Sequence, residues 1–184
     1  MATVVEQQDD VLAFWFKELT QEDWFRSDPG LDAAVTARFR DLHLALAHGV
    51  GEEWRSSAMA RLAAIVVLDQ FPRNIYRGTP LAFATDGLAR REAELAIEAG
   101  ADLQVEEAIR CFFYLPFEHS EDLVDQNRAV VLFETLGHAL YLDYAERHRQ
   151  VIVDFGRFPH RNAFLGRIST EAEKLYLSQP GAGF

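Results

Sequence analysis

The chain has 184 residues, about half of them apolar, a formal charge of −11 and a single cysteine. That length fits one domain with its own core and needs no disulfide or metal staple. The acidic balance argues against nucleic acid as a partner, since phosphates require a basic face, and no apolar run reaches the ~20 residues that cross a bilayer. The opening "MATVVEQQDD" lacks the basic and apolar regions of a signal peptide, and Cys111 in "IRCFFY" reads as an inert core thiol. A cytoplasmic protein is expected.

Helical periodicity dominates, and no alternating strand pattern appears. The first helix is predicted over 6–19, with Val11, Leu12, Trp15, Phe16 and Leu19 on one stripe. Asp28 and Pro29 read as N-cap and first-turn proline of a second helix that runs to His48 and stops at Gly49. A third, over 53–71, turns apolar all round in "LAAIVVLDQF", the mark of a central helix. Thr79 and Pro80 open a fourth, closed by Gly100, and a fifth over 104–115 stops at Pro116. Ser120 is the expected cap of a sixth, with Glu121 and Asp122 in its positive first turn. Gly137 precedes a seventh over 139–155, and Thr170 with Glu173 forms a capping box for a short last helix. Residues 175–184 read as a frayed tail. The expectation is an all-α domain over 1–184, about eight helices in antiparallel hairpins.

In that arrangement the third, fifth and seventh helices run the same way. Their ends read "DQFPRN", "LPFEHSED" and "DFGRFPHRN", and these phrases are expected to converge on one edge. Asp69 continues the apolar stripe of Leu62, Ile65 and Val66, where a carboxylate must be paired. Lys17 and Lys174 are the two lysines among 18 basic residues, so 18 − 2 leaves 16 arginines. Arg73, Arg77, Arg157 and Arg161 cluster at the converging ends with few acids nearby in sequence. Arginine caps helix C-termini and neutralises carboxylates, but four exceed what capping requires. The surplus points to a small anion or a peptide carboxylate bound bidentately, with Gln70, Asn74 and Asn162 orienting it and Asp69 holding an Arg behind it.

His119 and His160 lie on two of these loops, and with Glu121 they form the candidate acid/base set of an alternative, a hydrolase. Glu118 and His148 are further polar candidates. H-E-x-x-H, cysteine-cluster and glycine-rich phosphate signatures are missing, so no metal and no cofactor is expected. The aromatic runs Phe14–Trp15–Phe16, Trp24–Phe25 and Phe112–Phe113–Tyr114 with Phe117 read as core. An interaction scaffold for a protein partner, using exposed aromatic surface, is the third reading.

The phrases "FWF", "WF" at 24–25, "LDQFPRNIYRGTPLAFATD", "FFYLPFEHSED" and "FGRFPHRNAFLGRIST" resemble the bacterial family known as domain of unknown function 924. The resemblance spans nearly the whole chain and implies a tetratricopeptide-like, right-handed array of helical hairpins, with no established reaction. It places the family's motif positions on Asp69, Gln70, Arg73, Asn74, Arg77, Asp86, His119, Ser120, Glu121, Gln126, His148, Arg157, His160, Arg161 and Asn162.

Overall fold

The computed structural model describes residues 3–183, and every regular element among them is helical. Helix α1 (Val4–Ala13) starts at a capping box in which Thr3 accepts from the Glu6 amide and Glu6 accepts from the Thr3 amide. It runs on into a π-helical turn, Phe14–Glu18, and a short α2 (Gln21–Trp24) follows. Helix α3 (Pro29–His48) has the predicted bounds: Asp28 accepts from the Leu31 amide at 2.9 Å, Pro29 fills the first turn, and Gly49 closes it.

The predicted third helix is composite. A 3₁₀ turn, Glu52–Arg55, precedes α4 (Ala58–Ile65), then a π turn (Val66–Gln70), then α5 (Phe71–Ile75). Pro72 therefore sits in the first turn of α5 and does not end the helix. Proline lacks the N–H that would bond the carbonyl four residues back. That carbonyl belongs to Leu68, and the Thr85 hydroxyl donates to it at 2.7 Å. A side chain seventeen residues on thus supplies the missing donor.

Pro80 opens a 3₁₀ turn, Pro80–Phe83, and α6 begins only at Asp86 (Asp86–Glu98). The predicted fifth helix is broken into α7 (Glu107–Arg110), a 3₁₀ turn at Cys111–Phe113, and α8 (Leu115–Glu118), which contains Pro116. Helix α9 (Leu123–Leu136) is capped by Asp122, not Ser120. Helix α10 (Ala139–Phe155) has the predicted bounds, and α11 (Glu171–Leu177) the predicted Thr170–Glu173 capping box. Residues 175–177 belong to α11, so the tail begins later than expected; turns follow to 183, and Phe184 lies outside the described residues.

The chain divides into two compact units, Met1–Arg77 with Leu81–Pro116, and Gly78–Pro80 with Phe117–Phe184. In the first, α3 packs on α5 and α4 on α6. Phe39 stacks on Phe71 at 4.6 Å between ring centroids, and Trp15 meets Phe71 edge-on at 5.6 Å. Most of the aromatic runs are core as expected, but Phe25 is 57% exposed. In the second unit α9 and α10 form a hairpin reversed at Gly137, whose φ of +78° a glycine adopts without strain. Val151, Ile152 and Phe158 form its apolar cluster, with Phe155 and Tyr176 packed against them.

Candidate functional site

The expected site residues fall into two groups, one in each unit. In the first unit the arginines already have carboxylate partners. Arg77 grips Asp32 through two parallel bonds, Nε to Oδ2 at 2.6 Å and Nη2 to Oδ1 at 2.8 Å, and Asn74 donates to the same Oδ1 at 2.9 Å. Burial opposes ionisation of Asp32, but the donors from Arg77 and Asn74 outweigh it and hold its pKa below the ordinary value. Arg73 pairs with Asp86 at 2.8 Å, donates to the Ala82 carbonyl, and lies over the Phe83 ring. Asp69 is fully buried on the π turn and accepts from the Gln70 amide at 2.5 Å. The acids missing from the local sequence come from elsewhere: Asp32 stands 45 positions from Arg77.

The second unit holds the other group. Arg157 repeats the bidentate pattern on Glu173, Nε to Oε1 at 2.6 Å and Nη2 to Oε2 at 2.8 Å. Those donors hold the Glu173 pKa down to about 2. This pair edges a cleft of about 390 Å³ lined also by Asp154, Phe155, Thr170 and Ala172. With two acids against one arginine, the cleft does not suit an anion. Asn162 is buried and donates to Ser169 at 3.0 Å.

Glu121, a candidate acid/base, is committed to Arg167 through Oε2 at 2.7 Å and Oε1 at 2.9 Å, and it accepts from the Phe158 amide at 2.8 Å. Its burial is outweighed by these donors, which hold its pKa below the usual range. Arg167 also donates to the Phe158 carbonyl at 3.2 Å. The backbone of Phe158 is thereby pinned on both sides.

The Phe158 ring, fully buried, organises the polar side chains. The His148 ring meets it edge-on at 5.6 Å, His160 lies tilted against it at 5.5 Å, and the Arg161 guanidinium carbon stands 4.5 Å from its centroid. His148 Nδ1 has two acceptors, the Tyr144 carbonyl at 2.8 Å and Glu118 Oε1 at 3.1 Å, so this nitrogen carries the proton of the neutral ring. Burial pushes the His148 pKa down to about 3; the Tyr144 carbonyl opposes the shift, while the charges of His119, His160 and Arg161 add to it. His148 Nδ1 donates to the buried Glu118 carboxylate as well as to the Tyr144 carbonyl.

Among the residues expected to form the site, the second unit brings His148, His160 and Arg161 onto the Phe158 ring, and His119 follows Glu118, whose carboxylate contacts His148. Phe158 was not singled out by the sequence reading, although its place in "RFPHRN" directly before Pro159 was available. Among the described residues no group of three or more His, Cys, Asp or Glu has metal-holding geometry, and no helix is long and apolar enough to cross a membrane.

An all-helical chain with a histidine and arginine cluster of this kind defines a class without assigning a reaction. Residues 11–181 match the family described as "Bacterial protein of unknown function (DUF924)", and the chain belongs to that family. It is similar to a solved structure, the protein of unknown function ATU0120 from Agrobacterium tumefaciens, with 44% identity and a TM-score of 0.91 over 96% of this chain and 99% of that one. No curated protein matches.

Proposed function

We propose that the second unit binds a small anion, an inorganic or organic phosphate or a carboxylate, at the cluster built on Phe158. The observation that carries this reading is the packing of His148, His160 and Arg161 on the one buried ring of Phe158, at 5.6, 5.5 and 4.5 Å from its centroid, with His119 next in the chain to Glu118, whose carboxylate contacts His148. Arg161 supplies the permanent positive charge of this group in a chain of net charge −11. Arginine presents a planar fork matched to carboxylate and phosphate oxygens, and its stacking on Phe158 orients that fork. Arg73, Arg77 and Arg157 then serve as internal locks, bound to Asp86, Asp32 and Glu173.

The hydrolase reading has less support. Glu121, one of its acid/base candidates with His119 and His160, is held ionised by Arg167. Titrating inorganic phosphate and acetate into isotopically labelled protein, followed by imidazole resonances, tests the proposal. Saturable shifts at His119, His148 and His160 are expected; weak shifts that scatter over the surface without saturating would remove it.

A further inference from the structure

We infer that Gln126 is a positioning residue for His119, an inference that rests on the anion-binding reading of the cluster. Gln126 lies in the first turn of α9 and is fully buried. Its amide nitrogen has two hydrogens, and both are used on the loop before the helix. One goes to the Glu118 carbonyl at 2.6 Å, the other to the Ser120 carbonyl at 2.7 Å. These two carbonyls bracket a single residue, His119.

The clamp fixes more than one side chain. On one side of His119, the Glu118 carboxylate contacts His148 Nδ1. On the other, the Ser120 hydroxyl donates to Asp125 at 2.7 Å and accepts from the Asp122 amide at 3.1 Å. A single amide therefore sets the register of the three residues that orient His148, carry His119 and lead into α9. The arrangement is also costly. The other atom of the amide, Gln126 Oε1, is buried with no hydrogen-bond partner among the described residues. An apolar side chain of the same size would avoid that penalty. A polar group kept in a core with one of its atoms unsatisfied is expected where it places something specific.

The test uses the full chain and inorganic phosphate as probe. Gln126→Met keeps the volume, removes both donors and removes the orphaned acceptor. Partners behind a metal-ligating side chain matter by about 10-fold to 100-fold, and the low end of that range is taken for a clamp on an anion-binding loop. The expected result is a folded variant, less stable than wild type because the Glu118 and Ser120 carbonyls lose their donor, with phosphate affinity about 10-fold lower. Hydrogen exchange at the Ser120 and Asp122 amides should accelerate, with exchange in α10 unchanged. Gln126→Leu, likewise without donors and shorter by one atom, should shift affinity and exchange the same way and replaces the first variant if that one does not fold. Unchanged affinity in a folded variant overturns the inference and leaves the anion site standing. Unchanged exchange overturns the clamp itself. Faster exchange with no phosphate binding even to the wild type removes the anion reading, and with it the role of Gln126 in binding.

Discussion

The Arg161 guanidinium carbon lies 4.5 Å from the centroid of the Phe158 ring. A cation over an aromatic face is held electrostatically, by about 0.5–1 kcal/mol at exposed sites and more where water is excluded. Both residues are buried, so the contact orients the guanidinium as well as stabilising it. It also ties the cation to a backbone already pinned by Glu121 and Arg167, which gives the cluster its rigidity.

Acid should expose the buried His148. Its folded pKa of about 3 lies below the ordinary histidine value, so the unfolded chain takes up a proton that the folded chain does not. The associated stability is fully present above pH ~6.5 and is lost as pH falls toward the folded value, at about 1.4 kcal/mol per unit for one proton. Urea unfolding between pH 7 and pH 4 should show that slope in the wild type and a shallower one in His148→Asn. Parallel curves would contradict the assignment.

In the first unit, Arg55 holds Glu92 bidentately, Nε to Oε2 at 2.9 Å and Nη2 to Oε1 at 2.6 Å, with Glu92 only 4% exposed. Arg55→Met would strand a buried carboxylate, which costs about 3 kcal/mol. The double variant Arg55→Met, Glu92→Met removes both charges and should recover most of that loss. Denaturant midpoints of the three proteins decide it; a double variant no better than the single one would show that the pair is not the cause.

Asp32→Asn should cost about 1 kcal/mol, a modest figure because the Arg77 side chain is 41% exposed and water screens the pair. The Asp32 carboxyl is held below its ordinary pKa, so its contribution is present above pH ~3.9 and fades as pH falls through the folded value. The variant and the wild type should therefore approach each other in stability below pH 4. A gap that widens there would reverse the sign and reject the pairing argument.

Helices α3 and α10 were legible to the residue because their ends carry local chemistry. Asp28, Pro29 and Gly49 bound one, and Gly137 and Gly156 bound the other. The Thr170–Glu173 box marked α11 for the same reason. The π turn at Val66–Gln70 was not legible, since an apolar run has no cap signal and the released Leu68 carbonyl is satisfied by the distant Thr85. The breaks at Cys111–Phe113 and the continuation through Pro72 and Pro116 likewise depend on packing rather than on local propensity.

For the candidate site, residue type drew attention to His119, His160 and Arg161, but not to the ring that organises two of them. The carboxylate partners of Arg77 and Arg157 were hidden for a different reason: Asp32 and Glu173 stand 45 and 16 positions away, outside any helical periodicity. The apparent surplus of arginine came from counting acids along the chain instead of in space.

Calorimetric titration of inorganic phosphate into the wild type, Arg161→Lys and Arg161→Met tests the central claim most directly. Lysine keeps the charge but loses the planar fork, and methionine loses both. Saturable binding to the wild type, weakened by about 10-fold in the lysine variant and abolished in a folded methionine variant, is the predicted result, each 10-fold step being about 1.4 kcal/mol. Equal affinity in wild type and Arg161→Met would contradict the anion site.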